Sequence, residues 1–200
     1  IELEPHYARA WGRLGRYYFR SGLLGWIEDR DATFEKALEL CHRAVECDPT
    51  EWEAEAYLAL TMIFGIHAFG PGKFHAMEAV RLNPSAPLER HVCGCALEWN
   101  GEPDPALEHL HALFELDPRY TNRAAALGDI TTCQLMTGRL DEAVETARQI
   151  RDIAPDYSRG LQRVVVTLGH AGHTGEAAEV LSRVLELQPN LDEAYLRSTY

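Results

Sequence analysis

Glu46-Cys47-Asp48-Pro49 closes the first of five segments that end in a similar way. The other four segments close with Arg81-Leu82-Asn83-Pro84, Glu115-Leu116-Asp117-Pro118, Ile153-Ala154-Pro155 and Glu186-Leu187-Gln188-Pro189. The five prolines are 35, 34, 37 and 34 residues apart, and each predicts a helix end because proline cannot continue a helix. Twelve residues before each proline stands a small residue, as a close helix crossing requires: Ala37, Gly72, Ala106, Ala143 and Ala177. The chain is therefore predicted to consist of five similar helix pairs.

A family resemblance rests on this period and on the start of the first repeat. The segment Trp11-x-x-Leu14-Gly15-x-x-Tyr18 places aromatic residues between paired helices and a glycine where a neighbouring backbone comes close. With a period near 34 residues, the chain resembles tetratricopeptide repeat proteins. The resemblance implies an all-α fold: a right-handed superhelical solenoid of about five helix pairs plus a C-terminal helix, forming a single domain over residues 1–200.

The repeats are predicted at residues 8–51, 53–86, 87–120, 124–157 and 158–191, followed by a terminal helix at 191–200. In repeat one, Tyr18 and Ala37 are nineteen residues apart where the pattern expects nine, so we expect an extended first helix and a polar turn, with the second helix starting near Ala32. In repeat two, Gly70-Pro71-Gly72 is predicted to form the turn, which would delay the second helix. Residues 121–123 lengthen the link between repeats three and four. Glycine is predicted to end the first helix of the last three repeats, at Gly101, Gly138 and Gly172.

The bulk composition narrows the class of protein. The net charge is −12 and the pI about 5.2, which argues against a whole-surface nucleic-acid binder because duplex binding needs a basic footprint. No apolar run reaches the roughly 20 residues that span a bilayer, and no signal-peptide pattern opens the chain. The chain begins at Ile1, so we expect a longer parent protein. Five cysteines without a framework spacing indicate reduced thiols, four of them buried, and a cytoplasmic location.

No segment predicts an active site, a metal or a cofactor. His91-x-Cys93-x-Cys95 carries residue types that bind zinc, but residues two apart on a helix point about 200° apart and cannot share an ion. The acidic residues are spread along predicted helices and are expected to be solvated. The sequence therefore indicates a protein that is not an enzyme.

The candidate binding residues lie on the first helices of the pairs, which in the tetratricopeptide family line a concave groove. Arg9, Arg13, Arg16 and Arg20 follow one another by four, three and four residues and share one helix face, with no acid between Pro5 and Ile27. This stripe predicts a site for a carboxylate, a phosphate or an acidic segment of a partner. The alternative is that these arginines pair with acids of the next repeat: Glu51, Glu53 or Glu55. Further candidates in the middle of the groove are Tyr57, His91 and Trp99, whereas Trp26 and Trp52 are expected to be partly buried packing residues.

Two functions follow from the resemblance. The first is a non-catalytic interaction module that binds a protein or peptide segment in the groove and has no nucleic-acid or membrane partner. The second is a regulatory or oligomerisation region of a larger bacterial signalling protein, because the phrase from Arg81 to Pro84 and the segment from Gly101 to Ala106 also resemble the repeat region of nucleotide cyclases and winged-helix regulators. Homodimerisation stays open.

Overall fold

The structure, a computed structural model, describes residues 3–191. Within this range the chain folds into helices without any strand. Neighbouring helices pack in pairs, α1 with α2 and so on to α9 with α10, which confirms the predicted helix pairs. The ten helices of the described range are α1 Ala8–Leu24, α2 Arg30–Cys47, α3 Trp52–Ile66, α4 Phe69–Leu82, α5 Pro87–Trp99, α6 Pro103–Leu116, α7 Arg123–Met136, α8 Leu140–Ile153, α9 Ser158–His170 and α10 Thr174–Leu187. The helix predicted after Leu191 lies outside the described residues.

The chain divides into two compact units, residues 1–120 (unit 1) and 121–200 (unit 2). Unit 1 contains α1 to α6, and unit 2 contains α7 to α10. The division falls immediately before residues 121–123, where the sequence predicts a longer link between repeats. The single domain over residues 1–200 stays a prediction.

The small residues twelve positions before each proline lie where two helices of a pair cross. Ala37, Ala106 and Ala143 are completely buried. A Cβ atom on Gly72 would lie 2.7 Å from Cγ1 of Ile63 and 3.1 Å from the carbonyl oxygen of Ala59, so α4 comes too close to α3 for a larger residue. The predicted close crossings are confirmed.

The first helix of every pair ends at a residue in the left-handed conformation. Gly101 has a φ of 75°, and the next N–H, that of Glu102, donates to the carbonyl of Leu97 at 3.0 Å. This bond satisfies a carbonyl that the end of the helix would otherwise leave without a donor. The other four residues with positive φ at these helix ends are Gly25, His67, Gly138 and Gly172. His67 is the exception, with a φ of 53° on a residue that carries a side chain.

The predicted turn of repeat two is wrong. Pro71 belongs to the first turn of α4, which begins at Phe69, and the turn itself lies at His67 and Ala68. The helix does not start late, because Phe69 stands fifteen residues before Pro84, as Pro103 does before Pro118. Proline fits here because the N–H groups of a first helical turn have no partner within the helix.

The insertion of repeat one follows the prediction. Helix α1 extends to Leu24, and α2 begins at Arg30 after a short polar turn. Asp29 caps α2, since its Oδ1 accepts a hydrogen bond from the backbone N–H of Ala32 at 3.0 Å.

The five cysteines are free thiols, as the sequence predicts. Four of them are buried: Cys41, Cys93, Cys95 and Cys133. Cys47, in the last turn of α2, is partly exposed.

Candidate functional site

The four arginines of α1 lie along its border with α3. Helix α3 comes close to α1 at Gly12, where an added Cβ would lie 3.3 Å from the Cβ of Ala54. We call the arginines the α1 arginine row: Arg9, Arg13, Arg16 and Arg20.

Three members of the α1 arginine row contact acids at the start of α3. Nε of Arg9 lies 3.4 Å from Oε2 of Glu51. Two guanidinium groups share Glu53: Nη2 of Arg13 lies 3.7 Å from Oε2, and Nη1 of Arg16 donates to Oε1 at 3.1 Å. The predicted pairing with acids of the next repeat is thus confirmed for these three arginines, although the row as a binding site stays a prediction.

These ion pairs leave a large part of each arginine side chain accessible. The side chains of Arg9, Arg13 and Arg16 are 51%, 64% and 40% exposed. Exposed pairs of this kind contribute about 0–1 kcal/mol each, and a guanidinium group has five N–H donors of which one carboxylate uses at most two. Among the described residues, Arg20 makes no ion pair and acts on Tyr57 only through its charge.

Tyr57 lies beneath the α1 arginine row. Its ring packs 5.9 Å from that of Phe19, and the guanidinium carbon of Arg16 lies 5.5 Å from the ring centroid. Only 5% of Tyr57 is exposed, and this burial raises the pKa of its hydroxyl, opposed by the charge of Arg16. Tyr57 therefore supports the arginine above it and offers little surface of its own, and its role in binding stays a prediction.

A chain of aromatic contacts connects Tyr57 to Trp99. Phe19 contacts Phe64 at 6.3 Å between centroids, and Phe64 meets Trp99 edge-on at 5.5 Å. Trp99 also stacks on Phe69 with centroids 5.6 Å apart and an interplanar angle of 13°. The indole is half-buried, and its Nε1 is buried without a hydrogen-bond acceptor.

His91 lies apart from this chain of aromatic contacts. Its Nδ1 lies 3.1 Å from the hydroxyl of Tyr120, and the two rings meet edge-on at 5.4 Å. The structure thus brings Arg16, Tyr57 and Trp99 into one set of contacts and places His91 in another. The binding roles of His91 and Trp99 stay predictions.

Several acids are buried, which corrects the expectation that the acidic residues are solvated. Glu89, in the first turn of α5, is completely buried, and neither carboxyl oxygen has a hydrogen-bond partner. Burial raises the pKa of Glu89 to about 8, and the nearby charge of Glu53 adds to the shift. The sequence offers no warning, because an acid in the first turn of a helix is also favoured on an exposed surface.

Buried acids elsewhere have partners. Oε2 of Glu55 lies 2.6 Å from Nδ1 of His75, joining α3 to α4. In unit 2, Asp129 contacts Arg163 at 3.0 Å, and that guanidinium also donates to the carbonyl of Gly128 at 2.9 Å. These pairs hold neighbouring helices together.

The expectation that Trp26 is partly buried is wrong. Trp26 is 63% exposed in the turn between α1 and α2. It follows Gly25, which ends α1 in the left-handed conformation with a φ of 68°. Trp52 is partly buried, as expected.

The histidines and cysteines do not assemble a metal site within the described part of the chain. No three side chains of His, Cys, Asp or Glu come together there. Sγ of Cys93 does lie 3.6 Å from Nε2 of His109, but the guanidinium group of Arg90 lies 3.3 Å from the other ring nitrogen. Burial and the charge of Arg90 both lower the pKa of His109. No helix among residues 3–191 is long and apolar enough to cross a bilayer.

Comparison with known proteins supports the repeats. The sequence model of the tetratricopeptide repeat family matches residues 100–163. No curated protein matches the chain. These comparisons do not test the resemblance to cyclases and winged-helix regulators, which stays a prediction.

The solved structures similar to this chain share its fold at low sequence identity. TTC0263, a thermophilic TPR protein in Thermus thermophilus, is 21% identical with a TM-score of 0.70, over 92% of this chain and 95% of that one. PilF of Pseudomonas aeruginosa is 15% identical with a TM-score of 0.70, over 90% of this chain and 76% of that one. YrrB, a TPR protein with an unusual peptide-binding site, is 21% identical with a TM-score of 0.55, over 86% of each chain. The helix pairs are therefore those of tetratricopeptide repeats.

Proposed function

We propose that the chain, whose residues 100–163 match the tetratricopeptide repeat family and whose helix pairs share the fold of solved TPR proteins, is a non-catalytic interaction module that binds a segment of another protein along the first helices of its repeats. In unit 1 these helices are α1, α3 and α5. The proposal includes the concave groove that the family resemblance implies, and it assigns no chemical step to the chain.

The observation that carries the proposal is the surface that α1, α3 and α5 share. Helix α1 packs beside α3, and α3 packs beside α5. Accessible guanidinium groups lie at the α1 side, and the half-buried rings of Phe64 and Trp99 lie toward α5. Arginine and tryptophan are the residues most often found to dominate the energy of protein interfaces. Arg13 and Trp99, one residue of each kind within unit 1, support the proposal.

The experiment compares partner binding by the parent protein and an Arg13→Ala/Trp99→Ala variant. Partners are captured from the source cells, and each recovered protein is then purified and titrated against both forms. The matched control is Arg81→Ala/Phe74→Ala, which removes an arginine and an aromatic residue from α4, where Phe74 is 64% exposed. Circular dichroism establishes that all forms are folded.

We expect the Arg13→Ala/Trp99→Ala variant to bind its partner at least about tenfold more weakly than the parent, because anchors of this kind contribute more than 1 kcal/mol each. The control should bind as the parent does. The proposal is wrong if the Arg13→Ala/Trp99→Ala variant binds every recovered partner with unchanged affinity.

A further inference from the structure

We propose that the α1 arginine row binds an acidic segment of the partner protein, with Arg13 and Arg20 as its main contacts. This inference rests on the proposed function and names the chemistry of the segment that unit 1 receives.

The charges along the α1–α3 border do not balance. The row contains four guanidinium groups, and among residues 3–191 the acids that contact them are two, Glu51 and Glu53. Glu53 is shared between two arginines, and its 3.7 Å contact with Arg13 is longer than a hydrogen bond. Arg20 has no carboxylate partner among the described residues. The border therefore has surplus positive charge and unused donors.

The carboxyl group of Glu89, on α5, does not cancel this surplus. Glu89 interacts electrostatically with both Tyr57 and Glu53, so it lies within reach of the row's field. Its complete burial keeps it mostly protonated at neutral pH, because its pKa is about 8. A neutral Glu89 leaves the field of the arginines in place, whereas an ionised one would weaken it.

The spacing of the row suits a protein segment. Arg9 and Arg20 are eleven residues apart, which corresponds to about 16 Å along a helix. An extended chain covers that distance in about five residues, so side chains on one face of a short acidic segment can reach several guanidinium groups. Carboxylates accept two parallel N–H bonds from a guanidinium group, which gives such contacts direction as well as attraction.

The overall charge favours an acidic segment over a nucleic acid. The chain has a net charge of −12, so a long polyanion would be repelled by most of its surface. A short segment feels mainly the local field of the row, since charges more than about 10 Å away are largely screened at moderate salt.

The test measures fluorescence anisotropy with a labelled peptide of about eight residues in which Asp alternates with Ser, beside the same peptide with Asn in place of Asp. The variants are Arg13→Ala/Arg20→Ala and a matched control, Arg43→Ala/Arg81→Ala, whose arginines are exposed and pair with Glu46 and Glu78 on their own helices. A third variant, Glu53→Gln, removes the acid that competes for Arg13 and Arg16. Thermal unfolding of each variant establishes that it is folded.

We expect the Asp peptide to bind the parent more tightly than the Asn peptide, and the Arg13→Ala/Arg20→Ala variant to lose about tenfold or more of that affinity. Glu53→Gln should tighten binding, which a purely structural role of the arginines would not produce. Equal binding of the two peptides, or an equal loss in the control, overturns the proposal. A single-stranded oligonucleotide that binds through the row more tightly than the Asp peptide also overturns it, in favour of a nucleic acid.

The outcome is separable from that of the proposed function. If the peptide fails to discriminate but captured partners still require Arg13 and Trp99, the acidic segment is wrong and the interaction module stands. If captured partners bind without Arg13 and Trp99, the proposed function fails whatever the peptide does.

Discussion

Replacing Glu89 by glutamine should stabilise unit 1, and the gain should grow as the pH rises. The carboxyl group is completely buried without a hydrogen-bond partner, and its pKa in the folded chain is about 8, against 4.5 for an ordinary glutamate. An acid whose pKa is raised by folding must take up a proton as the chain folds. Stability is therefore lost as the pH rises above the unfolded pKa, and the loss levels off above the folded pKa.

The size of the effect follows from these two pKa values. Relative to a chain in which Glu89 is protonated in both states, folding costs about 1 kcal/mol at pH 5, about 3.5 kcal/mol at pH 7 and about 4.5 kcal/mol at pH 9. Glutamine has no proton to gain, so Glu89→Gln removes this dependence. The difference in unfolding free energy between variant and parent should thus increase by about 2.5 kcal/mol from pH 5 to pH 7, and by about 1 kcal/mol more up to pH 9.

The assay is urea unfolding followed by tryptophan fluorescence at pH 5, 7 and 9. All four tryptophans precede Asn100, so the signal reports on unit 1. Glu115→Gln on α6 is the control, because Glu115 is exposed. If the stabilities of parent and Glu89→Gln change in parallel between pH 5 and pH 9, the argument from a buried, unpaired carboxyl group is refuted.

Three further predictions concern close packing, proline and a buried ion pair. Gly72→Ala should destabilise unit 1 by about 1–3 kcal/mol in urea unfolding, because the new methyl group would lie 2.7 Å from Cγ1 of Ile63, and an unchanged midpoint would contradict the close crossing. Pro71→Ala should change the free energy of unfolding by less than about 1 kcal/mol, since a backbone N–H in the first turn of α4 has no acceptor within the helix. A larger loss in urea unfolding would mean that the proline ring itself stabilises the start of α4. Arg163→Ala should destabilise unit 2 by about 2–3 kcal/mol, because it removes a cation 3.0 Å from the buried carboxylate of Asp129. Thermal unfolding followed by circular dichroism measures this loss, and an unchanged unfolding temperature would mean that other groups satisfy Asp129.

The helix pairs could be predicted from sequence because their signals are local. A proline after each second helix and a glycine after most first helices act through the backbone alone, as at Pro118 and Gly101. Pro71 misled the prediction because proline fits both a turn and the first turn of a helix. The start of α4 at Phe69, fifteen residues before Pro84, shows that Pro71 lies in the helix and not in the turn before it.

The candidate site was less predictable because it depends on which way side chains point. The pairing of the α1 arginine row could be foreseen, since helix period and repeat length together place α1 beside the start of α3. The burial of Glu89 and the exposure of Trp26 could not, because both depend on which other side chains pack against them in the folded chain. The position of a residue within its own helix or turn does not report those contacts.

The buried thiols allow unfolding of the protein to be followed by the rate at which its cysteines are labelled. Burial raises the pKa of Cys41 to about 12 and that of Cys93 to about 11, so neither thiol forms the reactive thiolate in the folded chain at neutral pH. Cys47 alone among the five cysteines is not buried. A thiol-reactive dye should accordingly mark Cys47 first and quickly, which gives a single attachment point at the end of α2 without any mutation. The slower labelling rates of the buried cysteines would then measure how often each unit opens. Labelling of Cys41, Cys93 and Cys95 reports on unit 1, and labelling of Cys133 reports on unit 2.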